Sequence, residues 1–322
     1  MRNKIILFLF FLSALIIPPF LGDQSISVSD LWTDLDDLTA YIIFQVRLPR
    51  IVFAFAVGAG LAMVGAVFQA LLKNDLATPY TLGVSSGGAL GAVLAIKSGL
   101  DVHFFGFSTI SLFSMLGSLV TLVILYFVAY KRRGFSSYTL ILAGVTISLT
   151  FSALILFVHY LADFTETYRM VRWLMGGLEV SGWHFPVFLL ILLFLTSLYF
   201  LYRVEAFNLL LTGDDLAKTK GVSVQRLQIL SFILAAILIG AIVSLAGPIG
   251  FVGLIVPHVV RLLFGPDHRH VFPLSILAGG AFLIWCDTFA RMTIYPAELP
   301  VGIITSLFGG PFFIFLLLKA KI

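Results

Sequence analysis

Few side chains in this sequence are placed to do chemistry. Asp287 and Arg291 stand in the outer half of one apolar stretch, and His159 and His258 lie near the ends of others. Proton- or sodium-coupled carriers usually rely on buried ionisable groups or dedicated ion sites, so this scarcity counts against a carrier or channel working without ATP, without excluding it. The motifs of membrane enzymes are missing as well: there is no His-Glu-x-x-His, no pair of intramembrane carboxylates and no Gly-x-Ser-x-Gly. No Gly-x-x-x-x-Gly-Lys-Ser/Thr loop occurs, so the chain has no phosphate cradle and is not expected to use ATP itself. The single cysteine, Cys286, excludes an intrachain disulfide and a Cys-based metal cluster, and reads as a packing residue. The expectation is a chain with no catalytic residue and no metal site, and its low hydrophilic content suits a conduit whose walls touch a substrate weakly.

Four groups of residues nevertheless ask for a role. Ala246 to His258 carries Gly247, Pro248, Gly250, Gly253 and Pro257 inside an apolar region, so no regular helix runs through it. Either it is an interior hinge or pathway lining, with its freed backbone groups buried or facing water, or it is a short external turn. Gly213 to Gly221 reads as a short helix in a polar loop, with Asp214 able to cap, Asp215 favouring the N-terminus and Gly221 ending it. Such a helix is suited to docking into another protein, or is a solvated linker. Arg47, Arg50 and Arg291 form a basic rim that either anchors at headgroups or pairs with carboxylates of a soluble partner, with Arg169 and Arg172 beside it. Asn74, Leu76 and Ser137 stand at or near span ends and read alone as ordinary loop residues.

The elements that carry these residues are helices in a bilayer. With 322 residues, 60% of them hydrophobic and 11% charged, and a mean hydropathy of +1.08, this is no ordinary soluble domain, whose charged fraction is about a quarter. The fold class is an all-α, polytopic membrane protein. Although the pI is about 9.2, the basic residues are scattered between apolar spans, so membrane topology explains them better than nucleic-acid binding does. About ten spans are predicted, at Ile5 to Phe20, Ile51 to Leu72, Gly83 to Ile96, Phe105 to Tyr130, Leu140 to Leu161, Phe185 to Tyr202, Leu227 to Leu245, from the Gly/Pro segment to Phe264, Phe272 to Ile294 and Val301 to Leu318. The first is read as an uncleaved span, because Pro18-Pro19-Phe20 is not a small-residue cleavage site. Gly22 to Leu38 is an acidic external loop or interfacial helix, and residues 163 to 184 hold a short amphipathic interfacial helix. Of the 20 Lys and Arg, only Arg47, Arg50, Lys97, Arg169, Arg172 and Arg291 fall outside when both termini lie inside, as the positive-inside rule requires.

Several ordered motifs then carry a resemblance. Arg47-Leu-Pro-Arg50, Gly65-Ala-Val-Phe-Gln69, Asn74-Asp-Leu-Ala-Thr-Pro79 and Gly83-Val-Ser-Ser-Gly87 are similar to the first half of the permeases of ABC importers for ferric siderophores, haem and cobalamin, the FecCD-type family. The second half agrees at Leu142-Ala-Gly144, Trp173-Leu-Met-Gly-Gly177, Ala246 to His258, Asp267-His-Arg269, Asp287 and Ala297-Glu-Leu-Pro-Val-Gly302. The resemblance covers nearly all of the chain from Arg47 to Leu318 and implies a type II importer permease forming one transmembrane domain over residues 1–322. It implies two permease subunits around a central path, as a homodimer or a pseudo-symmetric heterodimer, with two ATPase subunits below and a substrate-binding protein above. It also implies that ATP and Mg are used by the ATPase partner and that this chain binds no cofactor.

By the same resemblance, residues 204–226 are the cytoplasmic coupling loop, with Asp214, Asp215, Ala217 and Gly221 in the coupling helix. Arg47, Arg50 and Arg291 face glutamates of the binding protein, Asn74, Leu76 and Ser137 stand at the cytoplasmic gate, and the Gly/Pro hinge shapes the external vestibule. The implied location is the bacterial or archaeal cytoplasmic membrane, and the implied substrate an iron–siderophore complex or a related haem or cobalamin. The sequence departs from the family pattern at two places: Asp75 stands where a proline is usual, and Lys220 where leucine is common before the coupling-loop glycine.

Overall fold

The computed structural model describes residues 2–22, 37–131, 136–294 and 297–319. Most of the acidic loop, with Asp23, Asp30, Asp34 and Asp36, lies outside the described residues, as do Arg132 and Arg133. In chain order the helices are α1 (Arg2–Ile16), α2 (Leu48–Leu72), α3 (Val84–Ser98), α4 (Thr109–Lys131), α5 (Ser137–Tyr160), α6 (Phe164–Leu174) and α7 (His184–Tyr202). They continue with α8 (Val204–Leu211), α9 (Asp214–Thr219), α10 (Val224–Ala246), α11 (Val252–Phe264), α12 (His268–Thr293) and α13 (Val301–Lys319). The strands among the described residues are β1 (His103–Phe104) and β2 (Phe107–Ser108), a two-residue hairpin ahead of α4, where the sequence had already begun the span.

Seven helices among the described residues are long and apolar enough to cross a bilayer, and three shorter apolar helices, α3, α11 and α13, accompany them. The protein is therefore a multi-pass helical membrane protein with the architecture read from its sequence. α2 is preceded by a helical turn, Asp37–Tyr41, and a π-helical segment, Ile42–Arg47, so the second span starts earlier than the predicted Ile51.

The centre of the bundle is α2, buried almost all round from Ile51 to Leu72. In lipid, helices have little hydrophobic drive to associate, and close backbone packing takes over. α2 meets α12 where Gly58 lies against the Gly279 carbonyl, and meets α11 where Gly65 lies against Gly253. A methyl group at Gly65 would collide with the Gly253 carbonyl. At the other extreme, α5 buries only 6% of its apolar window and α1 only 17%, so both present their side chains outward from this subunit.

α6 begins with a capping box: the Asp163 carboxylate accepts from the Glu166 amide, and the Glu166 side chain returns to the Asp163 amide. Phe164 and Tyr168 are exposed while Met170 is fully buried, which matches the amphipathic helix expected here.

Candidate functional site: a broken helix pair and the turns at its two ends

Between α10 and α11 the chain unwinds over residues 247–251, and the segment is buried or half-buried rather than exposed. That placement matches the interior alternative and not the surface turn. The two ends of the break are tied by backbone hydrogen bonds, with the Gly247 amide donating to the Val243 carbonyl and the Gly250 and Phe251 carbonyls accepting from Val252 and Ile255. The Ala246 carbonyl, freed at the end of α10, accepts from the Gly177 amide at 2.9 Å. Gly247 takes φ +67°, a conformation natural for glycine, and packs against Gly176 and the Trp173 carbonyl. Phe251 also has a positive φ, +67°, which is costly for a residue with a side chain; its ring lies over Gly309 of α13 and holds the segment there.

Pro257 sits inside α11 and cannot donate to the carbonyl four residues back, that of Gly253. Gln69 of α2 supplies the missing donor: its Nε2 donates to Gly253 O at 3.2 Å. Gln69 is 3% exposed, and its Oε1 accepts in turn from Arg261 Nη2 at 2.6 Å. Arg261 then reaches Asp75 at 3.2 Å, with His258 Nδ1 3.8 Å from the same carboxylate. Asp75 therefore faces positive charge on α11, and a polar chain runs from the hinge to the turn after α2.

Besides α11, that turn gathers two further elements. α2 ends with Lys73 in the left-handed region at φ 49°, and the Lys73 ammonium lies 2.7 Å from the Asp214 carboxylate at the start of α9. The Asn74 amide donates to Ser137 Oγ at 3.2 Å, where α5 begins, and its Oδ1 accepts from the Leu76 amide at 2.8 Å in an Asx turn. Leu76 itself remains exposed. Of the residues marked for the gate, Asn74 and Ser137 thus come together, and Leu76 projects from the same turn.

In α9 the expected cap is corrected. Gly213 occupies the N-cap position with no side-chain bond, because Asp214 is already helical and is drawn to Lys73. Asp215 is almost wholly exposed and pairs with Lys218 at 3.0 Å. The far end agrees with expectation: Gly221, at φ +83°, donates to the Lys218 carbonyl and Val222 to that of Ala217, a Schellman closure with Ala217 fully buried. The short helix is thus fixed by its own cap and by α2, leaving Asp215 and Leu216 on the surface.

At the opposite end of the bundle, Arg50 grips Asp287 with two nitrogens, Nε at 3.0 Å and Nη2 at 2.9 Å, and offers Nη1 to Glu298 at 2.8 Å. Arg291 approaches the same Asp287 at 3.3 Å. Two guanidinium groups and two carboxylates thereby compensate one another where solvent is scarce. The rim is accordingly not a row of open arginines. Arg47 is only 7% exposed and donates to the Pro19 carbonyl at 2.9 Å, because the π-helical segment turns it inward onto the end of the first span.

Beside this cluster a cleft of about 470 Å³ lies between α6 and the hinge, lined by Tyr168, Arg172, Gly176, Gly247, Glu298 and Pro300. On its rim the hydrogen bond to Glu179 holds the Arg172 guanidinium above its ordinary pKa. The nearby Glu166 carboxyl is held below its usual value, first by the Lys97 ammonium and then by the Asp163 amide. At the other end, Asp267 is likewise lowered, by the Arg269 amide and the Asn208 side chain that bond it as the N-cap of α12.

The FecCD transport family matches residues 5–319. The chain belongs to this family. It is 43% identical over 276 residues to the cobalamin import system permease BtuC of Halobacterium salinarum, a match covering 86% of this chain and 73% of that protein. It is 34% identical over 284 residues to the iron(3+)-hydroxamate import system permease FhuG of Bacillus subtilis, covering 87% and 84%. Among solved structures, an inward-facing metal-chelate type ABC transporter superposes with a TM-score of 0.87 at 34% identity over 99% of both chains. The protein is thus an ABC importer permease, and its relatives are transport components rather than enzymes.

For this FecCD permease, sequence reasoning passed over Gln69, His258, Arg261 and Glu298 as site residues. One signal was present: Pro257 stands four residues after Gly253, which orphans that carbonyl and requires a donor from elsewhere. Nothing local pointed to Gln69 as that donor, since the two partners are 184 residues apart.

Proposed function

We propose that this permease carries an iron–siderophore complex, or a related haem or cobalamin, inward by alternating access driven by separate ATPase subunits. Cobalamin, iron hydroxamate and the metal-chelate class of the solved relative are all caged metals, which supports that substrate class. The observation that carries the mechanism is the turn after α2. Lys73 holds Asp214 of the coupling helix while its neighbour Asn74 holds Ser137 at the gate. A push on α9 from an ATPase that has bound ATP and Mg therefore acts within a residue of the gate contact. The permease supplies geometry; its partners supply the free energy.

In this reading both termini and α9 are cytoplasmic, in a bacterial or archaeal cytoplasmic membrane. The Arg50 cluster and the cleft beside it face outward, toward a substrate-binding protein. A second copy completes the path, with α5, so little buried within one subunit, facing it. An intramembrane carboxylate that could couple ions, Asp287, is already engaged by two arginines, which favours the ATP-driven reading over a secondary carrier.

The test is reconstitution of the permease with its ATPase and binding protein in liposomes, measuring uptake of a radioiron-labelled ferric hydroxamate. Uptake that requires ATP, and that Asp214→Lys abolishes by placing like charges together, supports the proposal. Uptake that persists without the ATPase overturns it in favour of a secondary carrier. ATPase stimulation with no movement of this chelate leaves the importer in place and rejects the substrate.

A further inference from the structure

The internal turn makes three ties with three consecutive residues: Lys73 to α9, Asn74 to α5 and Asp75 to α11. Two of these join elements that the proposed cycle moves. The third has no part in that account, and its chemistry differs. Asp75 is 63% exposed at its side chain, whereas Arg261 is 18% and His258 26%, so an exposed carboxylate is drawn onto a largely buried guanidinium with an imidazole beside it. Arg261 is fixed on its other side by Gln69, which in turn holds the Gly253 carbonyl that Pro257 cannot serve. The Asp75 tie thus fastens the turn to the broken part of α11, and through it to the hinge.

We propose that Asp75 is a positioning residue of the internal gate. Its attraction to Arg261 seats the turn on α11, so that the Asn74–Ser137 contact closes and a displacement of α9 is delivered to the gate instead of being lost in a slack turn. The inference rests on the alternating-access reading for its consequence in transport, but the seating is a property of the permease itself. Without this tie, the polar links that residues 73–75 make to other helices are the exposed Lys73–Asp214 pair and one neutral hydrogen bond, both weak in water. Because Asp75 is mostly exposed, the tie is also open to screening by salt in a way that a fully buried pair is not.

Two measurements decide it. In the full-length permease in lipid nanodiscs, with Cys286 replaced by alanine, a spin label at Leu76→Cys reports the mobility of the turn. Asp75→Asn and high salt should each mobilise the label, and Asp75→Glu, which keeps the charge facing Arg261, should leave it close to the native mobility. An unchanged spectrum in Asp75→Asn, or a label as mobile in Asp75→Glu as in Asp75→Asn, overturns the proposal.

In the complete importer, the ratio of radioiron-labelled ferric hydroxamate taken up to ATP hydrolysed should fall about fivefold in Asp75→Asn, the size expected for a tie with one exposed partner. Asp75→Glu should recover most of it. An unchanged ratio overturns the proposal. If the native importer moves no chelate, the substrate reading fails, and the label mobility still decides whether Asp75 seats the turn.

Discussion

The Gln69 carboxamide donates to the Gly253 carbonyl because Pro257 leaves that carbonyl without its helical partner. A side chain of α2 thereby completes the backbone of α11 in the middle of the bundle. Gln69→Leu should leave a buried carbonyl unpaired and release Arg261, costing about 1–3 kcal/mol. Pro257→Ala, which restores the N–H within α11, should recover part of that loss. Thermal unfolding of the detergent-solubilised protein in a double-mutant cycle measures it, and purely additive losses would contradict the substitution of one donor for another.

The contact between Gly65 and Gly253 leaves no room for a side chain. Gly65→Ala should therefore push α11 off α2 and destabilise the fold by about 1–3 kcal/mol, as overpacking of a close interface does. Because the same shift stretches the Gln69 bond, uptake should fall with stability. A melting temperature equal to that of the native protein would show that α11 yields freely.

How much of this could be read from the sequence divides along the distance between partners. The break at residues 247–251 and the end of α9 at Gly221 are local and arise where glycine is, although the sequence reading carried the break on to His258, whereas the helix resumes at Val252 with Gly253 and Pro257 inside it because Gln69 replaces the missing donor. Asp287 and Arg291 could be placed in the outer part of one span for the same reason. The partners of those charges could not. Arg50 is 237 residues from Asp287 and Arg261 is 192 from Gln69, and no periodicity links such positions. The expected cap by Asp214 failed on the same ground, because a lysine 141 residues away claims that carboxylate. Asp75 registered only as a missing proline and an added negative charge, because its partner on α11, Arg261, is as remote in the chain as the others.

Acid should loosen α6 first at its N-terminus. The folded-state pKa of Glu166 is lowered below the ordinary 4.5, by Lys97 and then by the Asp163 amide, so its contribution is fully present above about pH 4.5 and is lost as the pH falls through the lower, folded value. Hydrogen exchange at the amides of residues 164–167 should accelerate over that acid range relative to the rest of α6. Glu166→Gln should show faster exchange already at neutral pH and little further change on acidification. Exchange independent of pH in the native protein, after correction for the intrinsic rate, would deny the capping box this role.

Asp287 answers two guanidinium groups, and the consequences of removing it are asymmetric. Asp287→Asn keeps the shape but leaves Arg50 with only the partly exposed Glu298 and Arg291 with no carboxylate as near, so the loss should be about 3–5 kcal/mol, that of a buried pair broken on one side. Taking a positive charge away at the same time, in Asp287→Asn/Arg291→Leu, should return a large part of it, since the remaining guanidinium keeps Glu298. Glu298→Gln should cost far less, because water can replace a carboxylate that is 40% exposed. Melting temperatures of the three variants in one detergent test this order. If Asp287→Asn and Glu298→Gln were equally harmful, the cluster would be held by its outer carboxylate, and Arg50 would depend on the loop before α13 rather than on α12.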